Sequence, residues 1–299
     1  MIMIKNENMS YPKRECPLCK KKGREILYKL DEFNIVRCDG CGLIFRDIIL
    51  SAEFAKQLYS GDYFTNEQAD YFFNYPKEKE DIFRSRIQML EPYEPEGRNM
   101  LDIGCAIGTF LKIARECGWE TRGIETSEYA SGYARDNYGL DVICGEFDAE
   151  KFSEEDKFDV ITMWDVVDHA EDPIKFLKDA ASLLKKNGYM FVETTMEDSL
   201  VYTICNYIYR LSFGLIKLPV MRGHPVHHST FFSRQTMRKA LEQCGMKIKA
   251  VVPTKYPEKF FPGSHFSKML FKLFYALGNK FDRPLVVTFV VQKNKVIDG

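Results

Sequence analysis

The stretch "NMLDIGCAIGTFLKIARECG", Asn99 to Gly118, decides the fold. It opens with an apolar run that suits a buried strand. It closes with Phe110, Leu111, Ile113 and Ala114 at helical spacing. Between them lies G-C-A-I-G. Gly104 and Gly108 let the backbone bend sharply and approach a ligand closely, and Asp102 stands near the end of the strand. Strand, glycine turn and helix in that order form the first half of a βαβ unit. Ligands in sheets built from such units sit beyond the carboxyl ends of the strands.

Moving outward, "WETRGIETSEYA" (119–130) repeats the scheme, with Glu125 ending a second strand. An acid there is placed to accept both hydroxyls of a ribose. "LDVICGEFDAEKF" (140–152) reads as a third strand and turn, and "FDVITMWDVV" (158–167) as a fourth strand. "DPIKFLKDAASLLKKNG" (172–188) reads as a helix stopped by Gly188, and "YMFVETT" (189–195) as a fifth strand. This alternation implies an α/β doubly wound parallel sheet. The loop lacks the G-x-G-x-x-G shape of a dinucleotide site and leaves less room for a pyrophosphate.

Ahead of this sheet, Cys16-Pro17-Leu18-Cys19 and Cys38-Asp39-Gly40-Cys41 stand eighteen residues apart. Each C-x2-C pair can set two thiolates on one side of a tight turn, and two such knuckles complete a tetrahedron around zinc. All four corners are filled, so such a site is structural. "EILYKLDEFNIVRC" (25–38) between the pairs reads as short strands. Residues 1–50 are therefore expected to form a zinc ribbon. Lys13, Arg14, Lys20, Lys21, Lys22, Arg24 and Lys29 outnumber Glu15 and Glu25 there, which reads either as a solvated face or as a contact for a polyanion. Residues 51–97 are aromatic-rich and read as a helical bridge packed across the mouth of the next domain.

The composition fits an ordinary folded chain. Of 299 residues, 45% are hydrophobic and 28% charged, and the net charge of −1 argues against a surface built as a whole for nucleic acid. There is no signal-like segment and no run of ~18 uncharged apolar residues. Nine cysteines without a secretory signal point to a reducing, cytoplasmic setting. The sequence does not specify an oligomeric state.

"LDIGCAIGTF", "GIETS" and "FDVITMWDVVDHAEDP" together resemble the motifs of class I methyltransferases that use S-adenosylmethionine. The resemblance covers about residues 100–292. It implies a Rossmann-like seven-stranded sheet whose last strand is antiparallel, with "KIKAVVPT" (247–254) as the sixth strand and "RPLVVTFVVQK" (283–293) as the seventh. It implies that Asp102, Gly104, Cys105 and Gly108 hold the methionine part of the donor, and that Glu125, next to Thr126, holds the ribose. Glu146 and Phe147 match the pair that holds the adenine. Trp164 and Asp165 match the strand end beside the sulfonium. Ala106 replaces the glycine usual in mid-loop, and Asp168 the usual glutamate before His169.

The ribbon narrows the likeness to a bacterial group of small-molecule and glycan-associated methyltransferases. Some relatives are sugar C-methyltransferases with Tyr-His-Glu-His-x-x-Tyr-Phe where this chain has "PVHHSTFF" (225–232). Only His228 and Phe232 match strictly. The stretch "GHPVHHSTFFS" (223–233) holds His224, His227 and His228. Three imidazoles so close read as a metal site, a structural turn, or a general base at His228 suited by its unperturbed pKa of ~6.5 to remove a hydroxyl proton. His169 and Asp165 are the next candidates for catalysis.

From Ser199 to Leu241 there is no acidic residue, while Arg210, Lys217 and Arg222 are present. That favours an anionic acceptor such as a nucleotide- or lipid-linked sugar, bound by forked guanidinium groups. Segments at about 197–230 and 255–282 show polar residues at helical spacing and a wide apolar face, as lid helices or as a contact with a membrane surface. The leading expectation is O-methylation of a small or glycan-type hydroxyl. An RNA methyltransferase, a sugar C-methyltransferase and a non-catalytic donor-binding scaffold are the rivals. "WDVVDH" lacks the Asn/Asp-Pro-Pro-aromatic motif of base amino-methylation, which makes nucleic acid the less favoured partner.

Overall fold

The computed structural model describes residues 14–31, 33–50, 60–67, 72–73, 76–93, 95–153, 155–255 and 264–293. The cysteine-bearing front folds into strands β1 (Arg24–Lys29), β2 (Asn34–Cys38) and β3 (Ile44–Arg46). β1 and β2 pair antiparallel, as do β2 and β3. Part of the expected bridge, including Tyr59, Tyr71 and Tyr75, lies outside the described residues. The rest gives a wide helical turn at Tyr63–Glu67 and helix α1 (Pro76–Leu90).

The main sheet is built as its apolar runs dictate. β4 (Asn99–Ile103) leads through the glycine loop into α2 (Thr109–Glu116), whose buried side chains are Phe110, Leu111, Ile113 and Ala114. β5 (Glu120–Glu125) leads into α3 (Glu128–Tyr138). The Ser127 hydroxyl caps α3 by accepting from the Ala130 N–H, and left-handed Gly139 ends it. β6 (Asp141–Cys144), β7 (Phe158–Trp164), α4 (Pro173–Ser182) and β8 (Leu184–Thr195) follow. After them come α5 (Leu200–Leu211), α6 (Leu218–Gly223), β9 (Thr230–Phe231), α7 (Arg234–Gln243), β10 (Met246–Pro253), α8 (His265–Lys280) and β11 (Val286–Lys293).

Seven strands of the described residues form one sheet in the order β10-β11-β8-β7-β4-β5-β6. β11 runs antiparallel to both β8 and β10, as the resemblance implies, while the neighbours from β8 to β6 are parallel.

One element departs from the expected pattern. The helix read over 172–188 stops at Ser182, and the chain re-enters the sheet at Leu184. Leu184 pairs with Phe158 and Tyr189 with Val160, so the residues between bulge out of the ladder. Asn187 takes φ 66° in that bulge, a left-handed conformation that asparagine tolerates. Gly188 is needed there because a Cβ would lie 3.0 Å from the Lys185 carbonyl oxygen.

The ribbon does not end at its own last strand. β9, from the far side of the chain, pairs antiparallel with β3, matching Ile44 to Phe231 and Phe45 to Thr230. Cys16, Leu18, Val36, Leu43 and Phe45 share an apolar cluster with Phe232, Met237 and sheet residues such as Met163 and Phe289. Two buried arginines complete the joint. Arg14 donates to the Ser229 carbonyl at 2.9 Å and to the Glu171 carbonyl, and its guanidinium lies 3.4 Å from the Glu171 carboxylate. Arg46, 1% exposed, donates to the Glu171 carboxylate, to the Val226 carbonyl and, at 3.1 Å, to the Ile48 carbonyl.

A buried cation is tolerable only while its partner is present. Replacing Glu171 with Ala leaves two buried guanidinium groups without their carboxylate. The expected loss of folding stability is about 2–4 kcal/mol, below that of a fully buried pair because Glu171 itself stays 37% exposed. Denaturant unfolding of Glu171→Ala against wild type measures it. A change of a few tenths would mean that the arginines are held by carbonyls alone.

Candidate active site

Three loops at the carboxyl edge of the sheet meet around Glu125. The loop after β4 holds Gly104 at φ 75°, Ala106 at φ 49° and Gly108 at φ 79°. A Cβ at Gly104 would lie 2.6 Å from Val166 Cγ2, and one at Gly108 would lie 2.6 Å from Leu140 Cδ1, so neither position has room for a side chain. Ala106 stands left-handed where the resemblance implies a glycine, and its N–H donates to Glu125 Oε2 at 2.9 Å. Glu125 Oε1 accepts from the Ser127 N–H at 2.8 Å. The Glu125 carbonyl accepts from the Gly145 N–H at 2.8 Å, which ties in the loop after β6. Burial raises the Glu125 pKa above its ordinary value. A carboxylate offers about four lone-pair sites, so Glu125 keeps acceptor capacity beyond what the neighbouring N–H groups take.

The other expected donor-side residues are distributed as follows. Asp102 is buried and accepts from the Thr162 hydroxyl at 2.6 Å, so it anchors the loop from beneath; burial pushes its carboxyl up to about 7. Cys105 is buried beneath the loop, and Thr126 is half-buried beside Glu125. Glu146 is exposed, and Phe147 packs on Phe176 with ring centroids 5.1 Å apart. The aromatic turn of Tyr63 and Phe64, with Phe72 and Phe73, packs on Ile107 and Ala130 above the glycine loop.

At the end of β7 the chain kinks. Asp165 takes φ 63° and donates its N–H to the Glu193 carbonyl at 3.0 Å. A left-handed non-glycine residue at a strand end is an uncommon conformation of the kind that gathers at functional sites, though aspartate tolerates it better than most. The surrounding protein, then the charges of Asp168 and Glu193, push the Asp165 carboxyl well above the usual range. Trp164 is half-buried with its indole N–H buried and without a partner among the described residues, a donor available to a ligand.

Sequence reasoning missed the cation of this region. Arg86 of α1 lies 4.5 Å from the Trp164 ring centroid and pairs with Glu193. Glu193 also accepts from the Thr288 hydroxyl at 3.1 Å. Arg86 sits in "RSRIQML", where only its position facing the core of an amphipathic helix hints at burial.

The histidines sort into two groups. His224 is buried between the rings of Tyr28, Tyr202 and Phe231. Its Nδ1 meets the Val220 carbonyl at 2.8 Å and its Nε2 meets Glu197 at 3.1 Å, so both nitrogens are engaged in structure. The cluster of His224, His227 and His228 read as a metal site is thus divided. His169 takes the place of His224: it stacks on His227 at 5.4 Å and lies 4.5 Å from His228, centroid to centroid. Burial, then the charge of Arg46, pulls His169 down to about 4. Burial and the neighbouring imidazoles hold His228 well below its ordinary value. Donor atoms of Asp165, His169 and His228 lie within 4.8 Å of one another, a grouping that could hold a metal ion.

His228 faces Asp168. Nδ1 and Oδ2 are 3.0 Å apart with a bent approach, and neither Asp168 oxygen has a hydrogen-bond partner among the described residues. Catalytic hydrogen bonds are often bent without substrate and straighten in the complex. Burial pushes the Asp168 carboxyl up to about 7. With Nδ1 turned to a carboxylate, the other ring nitrogen is left to accept a proton.

The cysteines form a second metal-suited group. Sγ atoms of Cys16 and Cys41 are 3.5 Å apart, and those of Cys19 and Cys38 are 3.4 Å apart. All four lie within 4.8 Å of one another. Zn–S bonds of ~2.3 Å in a tetrahedron need edges of about 3.8 Å, which these positions reach with small shifts.

Residues 75–251 match the family model described as "Methyltransferase domain". Among curated proteins, a ubiquinone biosynthesis O-methyltransferase of Maricaulis maris is 31% identical over 167 residues, 54% of this chain and 63% of that protein. Its counterpart from Caulobacter vibrioides is 36% identical over 105 residues, 33% of this chain and 41% of that protein. The chain spans less than two thirds of the length of either. Among solved structures, magnesium protoporphyrin IX methyltransferase of Synechocystis with bound SAH is similar at TM-score 0.55 and 16% identity, covering 82% of this chain and 100% of that one. At that identity the likeness is one of fold.

Glu125 orders the loop through the Ala106 and Ser127 N–H groups, and its expected second duty is to offer acceptors to a ribose. Glu125→Ala should weaken S-adenosylmethionine binding by about 1.5–3 kcal/mol, the worth of hydrogen bonds to a charged group. Glu125→Gln, which can still accept from the Ala106 N–H, should lose less. Calorimetry on both variants checks this. Unchanged affinity in Glu125→Ala would move the ribose elsewhere.

Proposed function

The chain belongs to the methyltransferase-domain family, and from that premise we propose that it transfers a methyl group from S-adenosylmethionine to a hydroxyl of a small molecule. The observation that carries the reading is the Asp168–His228 pair, set beside Asp165 at the end of β7, on the same sheet edge as Glu125 and the glycine loop. The O-methyltransferase names of the curated relatives support oxygen as the acceptor atom. When bound, the donor supplies an electrophilic methyl on a positively charged sulfur.

The chain's residues divide the remaining work. Glu125 and the loop N–H groups orient the donor. Asp168 holds His228 so that its second nitrogen meets the acceptor hydroxyl, and His228 takes the proton as the oxygen becomes nucleophilic. His169 and His227 stay neutral beside it, because burial disfavours their cations. A sugar linked to a phosphate is the narrower form of the acceptor, supported by the acid-free stretch from Ser199 to Leu241.

The ribbon's cations favour a small acceptor over a polyanion. Arg14 is buried, Lys20 pairs with Asp172 at 3.0 Å, Lys22 pairs with Glu15 at 3.5 Å, and Arg24 donates to the Arg14 carbonyl at 2.5 Å. We propose zinc as the ion of the four cysteines. Its role here is structural, since four thiolates leave no open position.

Two outcomes are expected. Metal analysis of freshly purified, reduced protein should give one zinc per chain, lost on Cys16→Ser/Cys41→Ser; a content near zero in wild type would remove zinc from the account.

The second concerns the base. Above a pH of about 7 Asp168 is ionised, accepts Nδ1–H, and leaves the other nitrogen free. Below it the pair carries one more proton and that nitrogen no longer accepts. Turnover should therefore fall as pH drops through the region of 7, and Asp168→Asn should remove this limb. His228→Ala should lower turnover by about 10²–10⁴ with donor affinity intact. The assay is methyl transfer from labelled donor to a panel of phenols, aliphatic alcohols and nucleotide sugars. Full turnover in His228→Ala on any acceptor found would make the imidazole structural.

A further inference from the structure

The segment between β8 and β9 and helix α8 share an outer surface unlike the rest of the molecule. α5 and α8 lie side by side: a Cβ at Gly278 would be 3.4 Å from Leu200 Cβ, and Val201 and Tyr202 pack with Phe271 and Tyr275. Beyond that contact both helices turn apolar side chains to solvent. Leu211 is 78% exposed, Phe213 94% and Leu215 86%; Phe266, Leu273 and Phe281 are also exposed. Single exposed apolar residues are ordinary, but a run of this density marks an interaction site.

The turn is held in place. Tyr209 accepts from the Lys29 N–H at 3.1 Å and packs edge-on against Tyr28 at 5.0 Å. Lys217 pairs with Asp31 at 2.7 Å, and the Ile216 N–H donates to the Ser212 hydroxyl at 3.0 Å. Between these anchors Phe213 takes φ 51° and Gly214 φ 80°. Left-handed backbone disfavours a bulky L-residue by about 1–2 kcal/mol. Phe213 is thus unfavourable twice over, in backbone and in exposure, and the chain is pinned so as to present it.

The charges identify the occupant. Residues 199–241 and 264–281 contain no Asp or Glu. Arg210, Arg222, Lys268, Lys272 and Lys280 lie within them, besides Lys217, whose charge is shared with Asp31. A self-complementary dimer across this face would set like charges against each other. A bilayer interface with anionic headgroups satisfies both components, apolar side chains below the headgroups and cations among them. No helix of the described residues is long and apolar enough to cross a membrane, so the contact is peripheral.

We propose that the α5–α6 turn and the outer face of α8 dock on an anionic lipid bilayer. This deepens the proposed function, on which it rests for one consequence: the acceptor is an amphiphile taken from the membrane. α5 follows the end of β8 at Thr195 and α6 ends at Gly223, five residues before His228, so the docked surface is joined in the chain to the acceptor side of the site.

The test uses the full chain without acceptor, so that it reads docking and not catalysis. Wild type is sedimented with vesicles of phosphatidylcholine alone or mixed with phosphatidylglycerol, at low and high salt. Binding should require phosphatidylglycerol and weaken with salt. Phe213→Gly/Leu215→Ser should lower partitioning roughly tenfold or more, since each apolar side chain removed forfeits a factor of that order. Glycine at 213 relieves the left-handed backbone, so the variant should melt no lower than wild type and bind S-adenosylmethionine equally well. Absence of binding to mixed vesicles, or equal binding by the variant, overturns the proposal. So does a stable dimer in light scattering that the variant abolishes, which would make the face a contact between copies. Vesicle binding with no methyl transfer to any lipid-soluble alcohol would leave docking in place and remove the amphiphilic acceptor.

Discussion

The structure depends on the way Glu171 lets two arginines be buried. Arg14 and Arg46 come from the ribbon, and their guanidinium groups converge on Glu171 and on the carbonyls of Val226 and Ser229. The same backbone is gripped from the opposite side. Ser229 and Thr230 both donate their N–H to the Asp168 carbonyl, at 2.8 and 3.1 Å. His228 therefore sits two residues before a strand whose position is fixed by the ribbon and by the turn after β7 together. Its imidazole faces Asp168 because the backbone of one is tied to the backbone of the other. The ribbon is a wall of the candidate active site rather than an appendage to it.

The electrostatics of that site follow from crowding. Asp102, Asp165, Asp168 and Glu193 gather at one edge of the sheet, with Arg86 offsetting them. Burial raises Asp102 and Asp168 to about 7, so the charges there are expensive and poised to change. A positively charged ligand is welcome in such surroundings, which agrees with a sulfonium donor. Buried imidazoles respond in the opposite sense: His169, His227 and His228 are all held toward the neutral form, and of the three it is His228 that faces Asp168, at 3.0 Å.

What could be read from the sequence was local. The turn after β4 was legible because Gly104 and Gly108 have no room for a side chain, and Glu125 because an acid at a strand end has few other uses. The cysteine spacing was legible because four thiolates must meet at bond length. Other features depend on residues far apart in the chain. β9 is two residues long, and its pairing with β3 joins positions more than a hundred residues distant, which no periodicity announces. Arg46 and Arg86 look like surface cations until their carboxylates are known. The helix read to Gly188 failed because "LKKNG" has helical composition, yet Asn187 and Gly188 permit a bulge that returns the chain to the sheet five residues sooner. The three histidines of 223–233 were chemically equal in sequence; Glu197 and the ring of aromatics claim His224, and Asp168 claims His228.

The central claim is that ribbon and active site are one structure. Hydrogen–deuterium exchange of the chain, as purified and after metal removal by a chelator, tests it most directly. The account predicts that removing the metal exposes the amides of Ser229 and Thr230 together with those of β2 and β3, while the amides of β4 and β5 stay protected. If the ribbon amides exchange freely and Ser229 and Thr230 keep their full protection, the ribbon is a separate module and the positioning of His228 needs another explanation.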